Sequence, residues 1–335
     1  MSASQAARVV KAAAACRLPP MPSTRDLLRM YDIRAMRKLS QNFLLDPGLA
    51  RRLVRACGSV RDKHVIEVGP GPGCLTRPLL ERGARRVVVI EKDSRFAPTL
   101  EASNILSEAS EGRLQVVMGD IFHQHLQELI PEELGVPWES DDLPEVCMVG
   151  NLPFSVASPL LVSWLRQISL REGPFQRGRV PLSLTFQLEV AQRIGAPVLD
   201  PQRCRLSVLC QNYCTTQHRI TLNGSSFVPP AEVDVGLVRL VPLKEPIIRH
   251  PFDLIEKVIN CLFNGRQKVL TNGAKNLFPR DRVELVQRLI ESADIEPTTR
   301  IIQLTVKEIG RLCDVYEEIC TEEPELRRYH FRLGR

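Results

Sequence analysis

Residues 150–156 read Gly-Asn-Leu-Pro-Phe-Ser-Val, directly after the apolar run Val146-Cys147-Met148-Val149. An amide, a rigid Leu-Pro step and an aromatic ring make an unusual end for a buried strand, and loops at strand ends carry function. The Asn151 amide oxygen and the Leu152 carbonyl are two hydrogen-bond acceptors one residue apart. Pro153 fixes the backbone that carries them. Phe154 offers a face on which a planar base can stack, worth ~1–3 kcal/mol. The set suits a base bearing an exocyclic amino group. That nitrogen is a poor nucleophile because its lone pair is delocalised into the ring. Two acceptors holding its hydrogens favour a pyramidal geometry, with the lone pair aimed at an electrophile. No strong general base is required, because the nitrogen becomes acidic once quaternary. Taken alone, the motif also reads as a proline turn with Phe154 in the core.

Three other strand ends supply the context. The first runs into Glu67-Val68-Gly69-Pro70-Gly71-Pro72-Gly73, a glycine turn that opens a helix and lets backbone approach a ligand. A dinucleotide fingerprint would need its third glycine where Cys74 stands, so that match fails. The form E-x-G-x-G-x-G is instead the first motif of S-adenosylmethionine methyltransferases. Glu91 ends the second strand, 18 residues past Gly73, where an acid accepts hydrogen bonds from both hydroxyls of a ribose. Gly119-Asp120-Ile121 ends the third, where a carboxylate can accept from an adenine amino group. Each acid alone could be a solvated cap. A glycine turn and two acids on successive strand ends make a nucleoside site beside the amine-holding motif.

These residues need a sheet to bring them together. From residue 64 the chain alternates β-branched runs (HVIEVG, RVVVIEKD, LQVVMGD, EVCMVGN, PLSLTF) with amphipathic stretches such as CLTRPLLERG and SPLLVSWLRQI. That alternation predicts a parallel, doubly wound α/β sheet covered on both faces, with HRITL and VGLVRLVPL completing one edge. After about residue 244 helical periodicity takes over in PFDLIEKVINCLF, RVELVQRLIESA and TVKEIGRLCDVYEEIC, predicting a small helical domain. The expected division is a targeting segment over 1–25, a catalytic domain over 26–243, a helical domain over 244–323 and a tail over 324–335. The ends, before about 22 and after about 323, are expected to be poorly anchored.

At 44% hydrophobic and 25% charged residues, the composition is that of an ordinary globular chain. No apolar run approaches the ~20 residues of a membrane span. The net charge of +6 is local: Arg8, Lys11, Arg17, Arg25, Arg29, Arg34, Arg37 and Lys38, set against Asp26 and Asp32, account for all of it. The rest of the chain is neutral, so a polyanion would be held by local patches and not by a global field. The first 25 residues carry no acid and place Arg8, Lys11 and Arg17 among Ala and Val, the composition of a mitochondrial import signal. Ten irregularly spaced cysteines suggest reduced thiols. Cys210, Cys214 and His218, four apart, would share one face if helical, but no CxxC pair accompanies them, and no metal site is expected.

On these residues the chain resembles the rRNA adenine N6-dimethyltransferases. Besides EVGPGPGCLT and GNLPFSV it carries SQNFLLD at 40–46, TFQLEVAQR at 185–193, RLSVLCQ at 205–211 and FVPPAEVDVG at 227–236, in the family's order. The match spans about residues 38–310, and the segment before SQNFLLD is similar to the mitochondrial branch. The resemblance implies a Rossmann-like S-adenosylmethionine-dependent methyltransferase sheet with a small C-terminal helical domain. It implies cofactor contacts from Gln41, Asn42, Leu44, Gly69, Gly71, Glu91, Lys92, Asp120, Ile121 and Asn151. Asn151, Leu152, Pro153 and Phe154 would position the amine, and Phe154, Phe227, Arg266 and Lys268 would meet the substrate. The implied reaction is dimethylation of two adjacent adenines in a hairpin loop near the 3′ end of mitochondrial small-subunit rRNA, supporting ribosome assembly. The implied enzyme is a monomer of the mitochondrial matrix, partnered by the ribosomal subunit. One departure is Arg266-Gln267-Lys268, where the family usually has paired arginines before the lysine, so one phosphate contact is in doubt. Two rival readings stay open here: a non-catalytic mitochondrial transcription factor bound to DNA and the transcription machinery, and a methyltransferase acting on a protein amide or DNA adenine.

Overall fold

A computed structural model describes residues 22–36, 41–101 and 112–331. Along the chain its strands are β1 (Phe43–Leu44), β2 (His64–Val68), β3 (Arg86–Glu91), β4 (Leu114–Met118), β5 (Val146–Gly150), β6 (Leu182–Gln187), β7 (Cys214–Leu222), β8 (Phe227–Val228) and β9 (Val235–Pro242). Seven of them form one sheet in the order β4-β3-β2-β5-β6-β9-β7, and β1 pairs with β8 separately. β4, β3, β2, β5 and β6 run parallel, whereas β9 pairs with β6 antiparallel. The central strands are apolar without alternation because helices cover both faces. Val65, Ile66, Val87, Val88, Val89, Val146 and Met148 are fully buried, each stabilising the fold by roughly 1.5–3 kcal/mol. A charged replacement at Val88 would leave an uncompensated ion in the sheet's centre.

Register sets the geometry of the site. Val68 lies level with Ile90 of β3 and with Gly150 of β5. Glu91 is level with Met118, and Gly150 with Leu184. The residues that follow these positions therefore emerge along one edge of the sheet: Gly69, Glu91, Gly119-Asp120, Asn151 and Thr185.

The chain divides into two units that interleave in sequence. The first comprises residues 1–161, 171–191 and 217–241, and the second 162–170, 192–216 and 242–335. Helices α1 (Thr24–Met30), α2 (Pro47–Ala56) and α3 (Thr76–Glu81) belong to the first, while α4 (Phe154–Leu170) and α5 (Leu188–Gly195) begin in the first and end in the second. Asp46 caps α2 by accepting from Leu49 N at 2.8 Å, with Pro47 at its first turn. The second unit adds α6 (Arg205–Tyr213), α7 (Phe252–Leu262), α8 (Leu270–Ala274), α9 (Val283–Ser292) and α10 (Val306–Glu322). Inside it Arg203 is buried with no carboxylate partner among the described residues, donating to the carbonyls of Ala196 and Leu304 and to Gln211 Oε1.

One open spacing is resolved and one expectation changes. Cys210 is in α6, but the helix ends at Tyr213 and Cys214 and His218 lie on β7, so the three share no helix face. The chain also stays anchored past residue 323: Leu326 is buried, and its carbonyl accepts from Tyr316 Oη at 3.0 Å and Lys257 Nζ at 2.7 Å. Residues 1–21, which hold most of the expected targeting segment, and 332–335 of the expected tail lie outside the described residues.

Candidate active site

A cavity of about 300 Å³ opens in the first unit at the carboxyl ends of β2, β3, β4 and β5, where open α/β sheets bind ligands. Its lining includes Gln41, Asn42, Leu44, Gly69, Gly71, Glu91, Lys92, Asp120, Ile121, Asn151, Leu152, Pro153, Phe154 and Phe227. Arg266 and Lys268 belong to the second unit, in the turn between α7 and α8, with Lys268 exposed and Arg266 half-buried.

Gly69, Gly71 and Gly73 all adopt positive φ (66°, 55° and 89°), which a side chain would strain. A Cβ on Gly71 would meet the Phe43 ring at 3.5 Å, so backbone forms that part of the cavity floor. Glu91 holds the turn in place: one carboxylate oxygen accepts from Gly71 N at 2.9 Å and the other from Asp93 N at 2.8 Å. Burial raises its pKa, opposed by those backbone hydrogen bonds. Each oxygen keeps a further lone pair for a ligand hydroxyl.

Glu67 is almost wholly buried, and burial pushes its carboxyl up to about 8, the Glu91 charge adding in the same direction. At neutral pH it is therefore largely protonated. Its Oε2 has no hydrogen-bond partner among the described residues, an orphaned polar atom in the cavity wall. Asp120 stands on the other side. One of its oxygens caps the next turn by accepting from Phe122 N, and the other meets Lys92 Nζ at 2.7 Å, which holds its pKa low.

The β1 segment closes over these strand ends. Gln41 donates to Asp93 at 2.8 Å and accepts from Met36 N, and Arg95 completes the cluster with hydrogen bonds to both Asp93 oxygens. Asn42 Nδ2 donates to the Pro229 carbonyl at 2.9 Å, while Leu44 pairs with Phe227 across the β1–β8 ladder. Phe227 itself is 2% exposed, so its ring is part of the wall in this state. Phe154 is half-buried and starts α4, whose first hydrogen bonds end on the Pro153 carbonyl. At Gly150 a Cβ would stand 3.1 Å from the Val68 carbonyl and 3.2 Å from Leu152, so a side chain there would force its neighbours to shift.

The residue that sequence reasoning missed is Thr185. Its hydroxyl, buried on β6, donates to Asn151 Oδ1 at 2.9 Å. An amide oxygen has two lone pairs, so one remains for a substrate amine. The signal was present in TFQLEVAQR, but only the β5–β6 register shows which strand end Thr185 meets.

Sheet order, glycine turn and strand-end acids define the fold of S-adenosylmethionine-dependent methyltransferases, and the residues fit that cofactor: a side-chain-free cradle, a ribose acceptor and an adenine acceptor. The chain belongs to the ribosomal RNA adenine dimethylase family, whose model matches residues 33–318. It is 46% identical over 318 residues to dimethyladenosine transferase 1, mitochondrial, of Homo sapiens, covering 95% of this chain and 91% of that protein. It is 40% identical over 324 residues to the Caenorhabditis elegans protein of the same name, covering 95% and 88%. Among solved structures, a dimethyladenosine transferase from Plasmodium falciparum superposes with a TM-score of 0.61 at 22% identity, over 85% of this chain and 98% of that one. The 23S rRNA methyltransferase ErmE gives 0.53 at 24%, over 82% and 100%. These two share the fold. The chain is thus an rRNA adenine dimethyltransferase of the mitochondrial branch, and its cofactor is S-adenosylmethionine.

Proposed function

We propose that this chain dimethylates N6 of two adjacent adenines in a hairpin loop near the 3′ end of mitochondrial small-subunit rRNA, acting as a monomer in the matrix and supporting assembly of the ribosomal subunit. The observation that carries the reading is the placement of Asn151-Leu152-Pro153-Phe154 level with the Gly69–Gly73 turn at one edge of the sheet. That the mitochondrial relatives are dimethyladenosine transferases supports adenine dimethylation as the reaction.

Bound S-adenosylmethionine supplies a methyl group on a sulfonium. In this reading Gly69 and Gly71 let backbone approach it, Glu91 accepts from the ribose hydroxyls, and Asp120 accepts from its adenine amino group. Gln41, Asn42, Leu44, Lys92 and Ile121 enclose it and exclude water. Phe154 stacks on the flipped target adenine, whose N6 hydrogens are held by Asn151 Oδ1 and the Leu152 carbonyl. Phe227, in the cavity wall on β8, is the second candidate to face the base. Arg266 and Lys268 contact phosphates of the hairpin. Residues 26–243 would then form the catalytic domain and 244–323 the RNA-contacting one, with import directed by residues 1–25.

The test is transfer of labelled methyl groups to an in vitro transcribed mitochondrial rRNA hairpin, with the products mapped by mass. The expected result is two methyl groups on each of two neighbouring adenines. Incorporation elsewhere, or none at saturating cofactor, would refute the substrate assignment.

A further inference from the structure

The β1–β8 pair has a second side. Phe227 faces the cofactor cavity, whereas its neighbour Val228, 42% exposed, faces a separate groove of about 640 Å³ within the same unit. Phe43 lines both, so the two share a wall one residue thick. The groove's floor is apolar, with Leu28, Ile33 and Val228 among its residues, and its rim carries Arg25, Arg29 and Arg34, all exposed.

Those arginines are not spent on ion pairs. Arg25 and Arg29 have no carboxylate partner among the described residues, and Arg34 meets only Asp32, at 3.7 Å with both side chains 89% exposed. A pair so open contributes little. Asp26, the other nearby acid, accepts from the Ser23 hydroxyl at 2.6 Å while its backbone N–H donates to the same Ser23 Oγ at 3.2 Å, at the start of α1. Arg25 and Arg29 stand four apart on α1, where like charges oppose helix formation by ~0.2–0.5 kcal/mol. The helix is nonetheless formed, packed through Leu27 and Leu28. A cationic rim over an apolar floor is the arrangement that holds single-stranded nucleic acid, with phosphates on the rim and a ribose or base face on the floor.

We infer that this groove binds the unpaired RNA strand flanking the target adenines, Arg25, Arg29 and Arg34 contacting successive phosphates while the flipped base enters the neighbouring cavity. The inference rests on the reading of that cavity as the adenine-methylating site. Charge favours RNA over a protein occupant: three arginines face one weakly held acid, and the rest of the chain beyond residue 40 has no net charge to offer a polyanion.

The test compares wild type with the triple variant Arg25→Gln, Arg29→Gln, Arg34→Gln in binding the rRNA hairpin across 50–300 mM salt. Loss of three phosphate contacts should flatten the plot of log affinity against log salt by ~2, at ~0.7 per contact to a single strand. Affinity in low salt should fall at least tenfold. S-adenosylmethionine affinity, measured by calorimetry, should stay within twofold of wild type, showing that the fold persists. The Arg→Lys triple variant should keep most of the wild-type slope, since a point charge suffices. A wild-type slope in the Gln variant overturns the groove, even if that variant were to lose a protein partner. Methylation by the wild type is scored separately: its failure would sink the substrate assignment, while the salt slope on the same hairpin still decides the groove.

Discussion

Replacing Thr185 by Val keeps the volume and removes one hydroxyl. That hydroxyl is the donor that fixes the Asn151 amide, at 2.9 Å from Oδ1 and shielded from water on β6. With it, the oxygen points where an amine hydrogen can reach it. Without it, the amide loses a buried neutral hydrogen bond worth ~1 kcal/mol and gains freedom to turn its NH₂ toward the substrate, setting donor against donor. A loss of ~1–1.5 kcal/mol of transition-state alignment corresponds to roughly a 5- to 12-fold lower kcat. Because Thr185 touches neither cofactor nor RNA in this reading, KM for both should move less than about twofold, the pattern of an interaction used only in the transition state. Thr185→Ser restores the donor and should recover most of the rate. Single-turnover methyl transfer to the hairpin at saturating S-adenosylmethionine makes the comparison. Wild-type kcat in the Val variant, or a Ser variant as slow as Val, would show that Asn151 is oriented by something else.

Glu91→Ala should weaken S-adenosylmethionine binding by roughly 1.5–3 kcal/mol, since it strips the ribose hydroxyls and also the Gly71 and Asp93 amides of their acceptor; unchanged calorimetric affinity would remove Glu91 from the site. Asn151→Ala and Phe154→Ala should each lower methyl transfer at saturating cofactor by ~100-fold, about 2.7 kcal/mol, with RNA affinity falling much less. Near-wild-type rates would reduce the motif to a turn. In the cofactor-free protein, Glu67 is ionised when unfolded above its ordinary value of 4.5 but stays protonated when folded up to about 8. Stability therefore falls as pH rises through that window, by ~1.4 kcal/mol per unit, and levels off above it; Glu67→Gln should flatten the slope in denaturant titrations from pH 5 to 8, and an identical slope would contradict the buried carboxyl. Deleting residues 1–20 should leave in vitro methylation intact and abolish import into isolated mitochondria, and full import of the truncated chain would defeat the targeting reading.

Much of the site was legible because parallel strands buried on both faces announce themselves as apolar runs, and whatever follows each run must stand at one edge of the sheet. Gly69, Glu91, Asp120 and Asn151 could be placed from that rule without knowing strand order. Contacts that depend on order or long-range pairing could not. Thr185 meets Asn151 only because β6 lies beside β5 in a particular register, and the two-residue ladder of Phe43–Leu44 with Phe227–Val228 is too short to leave a periodic trace. The spacing of Cys210, Cys214 and His218 illustrates the converse: four-residue intervals share one face only while a helix continues, and this one stops at Tyr213.

The N-terminal charge shows the same limit most sharply. Composition assigns Arg8, Lys11 and Arg17 of the first 25 positions to import and gives Arg29, Arg34, Arg37 and Lys38 no role, because counting fixes no position in space. The fold separates them: Arg25, Arg29 and Arg34 belong to a helix and turn that line one groove with Val228 of β8, beside the candidate catalytic cavity, while Arg8, Lys11 and Arg17 lie ahead of the described chain. An import signal needs only net charge and amphipathicity, so it tolerates rearrangement of its arginines. A phosphate-binding rim does not, because its charges must stand at fixed spacing beside the cavity. Moving Arg29 by one position on α1 should therefore preserve import yet weaken hairpin binding, a contrast that charge counting alone would never suggest.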